Sequence, residues 1–296
     1  MVRKLLAFCA CACLVAGSLR AQSEDAALVA AARKTLQSYD KALITVSAVL
    51  KFEAKGIEGA GGLDQERKAQ CIAAIIDPEG LAVTSLTTIN PQRAMQKIRY
   101  RSQVLELDCQ VREARYRLAD GTEVPARLVM KDEDLDLAFL APLKPLDKET
   151  KAKIAFISLA DAASPPAALD PTIQMIRAGE NLDYIPMLDF GRILAVVSKP
   201  RSCYVDSDGI LGIPVFDRHG KVLGITCRCL QNEGGESGVI RVQSVATHLI
   251  LPAADVARLV PQAKEEIKKA AAEAEKKAAK SKKKKADAAK KPDAKK

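Results

Sequence analysis

Acyl-transfer chemistry by a Ser, Thr or Cys nucleophile needs a base that works near neutral pH and a carboxylate to orient it. The chain offers two histidines, His219 and His248, and both lie in its second half. His219 falls in Asp217-Arg218-His219-Gly220, which reads as a turn with a solvated imidazole. His248 precedes Leu249-Ile250-Leu251 and reads as a strand-edge or core residue. Cys203 and Ser207 lie just upstream of Gly209-Ile210-Leu211-Gly212. A Cys203–His248 pair would make a displaced cysteine-type hydrolase. Gly209 and Gly212 fit a tight loop whose backbone N–H groups point inward at a carbonyl or an anion; the alternative is that they only shape the turn. Cys227 and Cys229 share a strand face. C-x-C without a second pair or a nearby His is a weak metal signal, so neither a metal nor a cofactor is expected.

The elements that hold these residues belong to a body without excess positive charge. Of the net +9 over 296 residues, residues 262–296 carry +8, as fourteen Lys against six acidic residues. Arg3, Lys4 and Arg20 carry the +3 of residues 1–21, which leaves −2 for residues 22–261. A basic pI therefore gives no argument for a nucleic-acid-binding core, and no specific nucleic-acid partner is expected. Residues 1–21 have the order of a secretory signal: two charges by Lys4, the apolar run Leu5–Ala16, then small residues. Cleavage is placed after Ala21, with Gly17 as the alternative, and the competing reading is a buried N-terminal helix. Export to the periplasm or the exterior means an oxidising compartment. The mature chain would keep Cys71, Cys109, Cys203, Cys227 and Cys229, an odd number whose pairing stays open.

Residues 24–38 have helical spacing. Ile44, Val46, Ala48 and Leu50 then alternate with polar residues as in a strand, and Lys55–Lys68 reads as a Gly-rich loop. Ile72–Ile76 and Leu81–Ser85 flank the turn Asp77-Pro78-Glu79-Gly80, and Tyr116–Leu118 and Val124–Met130 make another hairpin. Leu135–Leu140 reads as a short buried strand. The Ala/Asp/Pro-rich stretch Leu159–Pro171 reads as a linker. Strands resume at Ile173–Ile176, Arg192–Val197, Cys203–Val205, Val215–Phe216, Val222–Arg228 and Val239–Val242. Ala253–Leu259 reads as a short helix closed by Pro261. Many short strands with turns every 8–12 residues imply an all-β sandwich or barrel.

Three segments resemble the trypsin-like serine proteases of the bacterial Deg/Htr type. Ile75-Ile76-Asp77-Pro78-Glu79-Gly80-Leu81-Ala82-Val83-Thr84-Ser85-Leu86-Thr87-Thr88 is similar to a family hairpin ending in V-T-x-x-H; the His position is Thr87. Leu118-Ala119-Asp120-Gly121 and Asp134-Leu135-Asp136-Leu137-Ala138 are similar to the family's A-D-G hairpin and D-L-A segment; Asp136 matches the triad Asp. Gly209-Ile210-Leu211-Gly212-Ile213-Pro214 is similar to G-x-S-G-G-P; the nucleophile position is Leu211, and Ile213 replaces the second paired Gly. The resemblance covers roughly residues 42–259 and implies two six-stranded barrels with a cleft between them, in which Thr87, Asp136 and Leu211 are degenerate triad positions and Gly209 and Gly212 the oxyanion-loop positions. Leu211 has no lone pair, and the hydroxyl of Thr87 is no base at neutral pH.

The expected organisation is a signal at 1–21, an N-terminal helix at 22–41, a first barrel at 42–158 and a linker at 159–171. A second barrel and closing helix follow at 172–260, with a Lys/Ala-rich tail at 261–296, helical and then disordered. The fold expected is thus all-β, a trypsin-like double β-barrel with short terminal helices. The function expected is an exported pseudoprotease holding a peptide or protein in the inter-barrel cleft. The alternatives are a serine-type or displaced Cys-type endopeptidase, and a structural envelope protein anchored by its tail. Lys280, Lys282, Lys283, Lys284 and Lys285 are the candidate contacts with an anionic envelope surface. With almost no large apolar residues, residues 262–296 are expected to be dispensable for folding.

Overall fold

The structure is a computed structural model that describes residues 25–55, 65–90, 98–100, 103–207, 209–228 and 248–289. Helix α1 spans residues 25–39, and Leu28, Ala31, Ala32 and Leu36 recur at the three- and four-residue spacing that turns one face to the core. A 3-10 turn at Asp40–Ala42 leads into the first set of strands: β1 (Leu43–Lys55), β2 (Gln65–Ile75), β3 (Ala82–Ser85), β4 (Ile98–Tyr100), β5 (Gln103–Arg117), β6 (Glu123–Asp132) and β7 (Leu137–Pro142). Helix α2 (Leu86–Ile89) follows β3, and α3 (Lys148–Ala152) follows β7. The second set is β8 (Pro171–Arg177), β9 (Pro186–Val197), β10 (Cys203–Asp206), β11 (Pro214–Asp217), β12 (Val222–Arg228) and β13 (His248–Pro252), closed by helix α4 (Ala253–Ala289).

Each set closes into a six-stranded antiparallel barrel. In the first, the order β1-β2-β3-β7-β6-β5 returns to β1, with β4 on the outer side of β5. In the second, the order is β10-β13-β12-β11-β8-β9. The alternation of β1 explains the first closure. Ile44, Val46, Ala48, Leu50 and Phe52 all point into the barrel with Ala73, Ile75, Tyr116 and Leu140. The second barrel is filled by Ile193, Tyr204, Val215, Leu223 and Ile250. A third cluster lies between the barrels and under the terminal helices, joining Val83, Leu137 and Phe139 to Ile173, Phe216, Ile225 and Leu251. Each such large side chain contributes about 1.5–3 kcal/mol of transfer free energy. The barrels are thus halves of one body.

The terminal helices cross over. Helix α1 precedes the first barrel but stacks Tyr39 on Phe216 of the second, centroids 5.4 Å apart. Helix α4 follows the second barrel but reaches the first. Lys264 Nζ lies 2.5 Å from Asp77 Oδ2, and Arg127 Nη2 donates to the Ile267 carbonyl at 3.4 Å.

Four expectations change. The stretch Lys55–Lys68 is strand at both ends, because β1 runs to Lys55 and β2 starts at Gln65. The closing helix is long, and it does not stop at Pro261. Proline removes one N–H and crowds the carbonyl four residues back, but here both flanks are pinned: Val256 and Ala263 are fully buried and Ile267 packs on the same core. Nor does the chain lose its structure at Lys280, since α4 runs to Ala289 through Ala, Lys and Glu, all strong helix formers. The first turns after residue 261 are therefore anchored to the body, where a loosely attached tail was expected. The strand expected at Val239–Val242 lies outside the described residues.

Candidate functional site between the barrels

Ser85 ends β3 and Thr87 is the second residue of the short helix α2. Both face Asp136, which stands in the turn before β7 with φ 55, a left-handed conformation that Asp tolerates better than most residues. The carboxylate is 2% exposed and accepts four hydrogen bonds. Ser85 Oγ donates to Oδ2 at 2.5 Å, and Thr87 donates to Oδ1 twice, from its backbone N at 2.8 Å and from Oγ1 at 2.7 Å. The fourth donor comes from the other barrel: the backbone N of Arg228, the last residue of β12, gives to Oδ2 at 2.7 Å. The main chain joins in, with Leu86 N donating to the Asp136 carbonyl at 2.8 Å. This buried charge is compensated by hydrogen bonds, the condition for keeping it in the interior.

The loop from Gly209 to Ile213 presses against the same place. Gly212 has φ +78, and a Cβ there would collide with Thr84 Oγ1 and lie 2.9 Å from Ser85 N. Only glycine lets the second barrel approach β3 so closely. Leu211 is the neighbouring residue and is half-buried at the junction. Ile213 is fully buried, and its N–H donates to Thr226 Oγ1 at 2.9 Å, while Gly212 N donates to the Thr226 carbonyl at 2.8 Å. Two amides of the loop thus serve β12. At Gly209 a Cβ would lie 2.6 Å from His248 Nδ1, so the imidazole packs directly under the loop.

The two histidines separate clearly. His219 is exposed in its turn, with its N–H on Asp217 Oδ1 at 2.8 Å. His248 is half-buried opposite Arg228 in the β12–β13 register. Burial, and then the Arg228 charge, hold its pKa below the ordinary histidine value. Asp136 meets Thr87, Ser85 and Arg228 N, not an imidazole. Cys203 opens β10 opposite Val197, and the exposed Ser207 accepts from Arg192 N at 2.9 Å through Oγ. Cys71 is the thiol beside the site, within hydrogen-bonding reach of Thr88 and Thr84. Burial raises its pKa to about 11, so it is a protonated thiol at neutral pH and a poor nucleophile. Among the described residues, no group of three His, Cys, Asp or Glu could hold a metal ion, and no helix is long and apolar enough to cross a membrane.

The model of the trypsin-like peptidase domain matches residues 71–225, just over half of the chain, and these include Thr87, Asp136 and Leu211. The chain belongs to the trypsin-like peptidase family. Among solved structures, this trypsin-like chain is similar to the HtrA-type protease AlgW, a serine-to-alanine variant with a tripeptide. The identity is 14% and the TM-score 0.48, over 78% of this chain and 62% of that one. The chain thus spans less than two thirds of that protease's length. No curated protein matches it.

In this trypsin-like frame the structure brings Thr87 and Asp136 into contact and sets Gly212 against Thr84 and Ser85, carrying Leu211 to the same junction. Two partners of Asp136 are invisible to sequence reasoning. Ser85 looks like the polar end of a strand, and a backbone N–H such as that of Arg228 has no residue-type signature. The tightness at Gly212 is hinted at by the glycine itself.

Proposed function

We propose that the chain is an exported trypsin-fold pseudoprotease that holds a peptide or protein segment between its barrels without cutting it. The observation that carries this reading is the occupancy of Asp136. In a working triad the carboxylate orients an imidazole. Here both oxygens are taken by Ser85, Thr87 and Arg228 N, and the chain has no histidine before residue 219. Leu211 supplies no nucleophile, and the buried side chain of Ile213 fills a family glycine position. What such a site retains is shape: a junction of two rigid barrels with apolar Ile210 and Leu211 at its edge, Ile210 being 37% exposed.

Binding is tested with an immobilised library of short peptides, by comparing the full chain with Leu211→Arg. The reading expects a subset of peptides to be retained intact and the variant to hold them at least tenfold more weakly. Retention that is equal in both proteins, or no retention, would contradict cleft binding.

A further inference from the structure

As far as Ala289 the Lys-rich segment is helix and not a loose coil hung on the body. Helix α4 is continuous from Ala253 to Ala289, and its first half is fastened to both barrels through Val256, Ala263, Ile267 and the Lys264–Asp77 pair. Residues 276–289 of this helix hold seven lysines against one aspartate. At about 1.5 Å of rise per residue, that is roughly one net positive charge for every 3.5 Å of helix. A single nucleic-acid strand carries a charge about every 3.4 Å, so the helix has the linear charge density of an extended polyanion, with the sign reversed.

The composition selects among anionic partners. A helix that lies in a bilayer interface needs a broad apolar face with Leu, Phe or Trp, and Ala274–Ala289 has only alanine as its apolar residue. The larger apolar residues of α4, Val256, Leu259, Val260 and Ile267, pack on the body. The stretch also has no aromatic residue on which a base could stack. We propose that α4 beyond Glu273 is a rigid cationic arm that docks a linear polyanion through charge alone, independently of the inter-barrel cleft.

The probe is inorganic polyphosphate, titrated into the full chain and into the quadruple variant Lys282→Ala, Lys283→Ala, Lys284→Ala, Lys285→Ala, with helicity followed by circular dichroism. Alanine keeps the helix and removes four charges. Binding by the full chain should fall steeply with salt. The variant should bind at least tenfold more weakly at about 50 mM salt, and its log–log salt slope should be shallower by about 3, at roughly 0.7 per lost contact. Equal binding by the two proteins would overturn the proposal, as would no binding at low salt. Tighter association with phosphatidylglycerol vesicles than with polyphosphate would also overturn it, in favour of a lipid surface.

Discussion

The backbone N–H of Arg228 donates to Asp136 Oδ2 at 2.7 Å, so one buried carboxylate is bonded by both barrels. The residue expected at the triad Asp position is here a fastener between the halves, held from the first barrel by Ser85 and Thr87. Asp136→Ala should leave the Ser85 hydroxyl and the Thr87 and Arg228 amides without their acceptor. At about 1–3 kcal/mol for an unsatisfied buried group, partly relieved by water, the expected loss is about 3 kcal/mol. Urea unfolding measures it. A shift under about 0.5 kcal/mol would mean that the carboxylate does not join the barrels.

Gly212 and Gly209 should respond unequally to alanine. Gly212→Ala meets a positive φ, and its Cβ is driven into Thr84 and the Ser85 backbone. The expected destabilisation is about 2–4 kcal/mol. Gly209→Ala has the negative side of φ and meets first the ring of His248, a side chain and not backbone, and should cost about 1 kcal/mol. Thermal unfolding of both variants gives the order, and the reverse order would contradict the close approach at Gly212.

Most of the barrel fold is legible in the sequence. Residues such as Ile44, Val46, Ala48 and Leu50 alternate because a closed barrel buries one face of each strand. The continuation of α4 past Pro261 is not legible. Proline is a strong local stop signal, whereas the burial of Ala263 and the pairing of Lys264 with Asp77 depend on a turn nearly two hundred residues earlier in the chain. At the site, the Thr87–Asp136 contact is what the resemblance of the two segments to the protease family implies. The Arg228 bond does not, because its donor is main chain and its position depends on how the barrels dock.

Two truncations of α4 should part company. Ending the chain after Pro261 removes buried Ala263, the Ile267 contact and the Lys264–Asp77 pair. The expected loss is about 2–4 kcal/mol, with the ion pair, half-exposed at Lys264 and buried at Asp77, contributing about 1. Ending it after Glu273 keeps all three and should leave the urea midpoint unchanged. Equal stability of the two truncations would show that the helix is not fastened to the first barrel.

His248 gives the fold a pH dependence of known sign. Its folded pKa lies below the ordinary histidine value, first through burial and then through Arg228. The unfolded chain therefore binds the proton more readily. The stability due to neutral His248 is present above the unfolded histidine pKa of about 6.5, and is lost as pH falls through that value towards the folded one. His248→Asn should reduce the drop in urea midpoint between about pH 7.5 and 5.5. A drop of the same size in both proteins would assign the effect to other groups.

The most direct measurement of the central claim is turnover. The full chain is incubated with a mixed peptide library and short ester substrates near pH 7.5, and products are read by mass spectrometry, alongside His248→Ala and Cys203→Ala. With Asp136 occupied by Ser85, Thr87 and Arg228 and with leucine at position 211, the account predicts no cleavage above the buffer blank in any of the three. Cleavage by the full chain that disappears in His248→Ala or Cys203→Ala would contradict it and place a working site around the second barrel's own histidine.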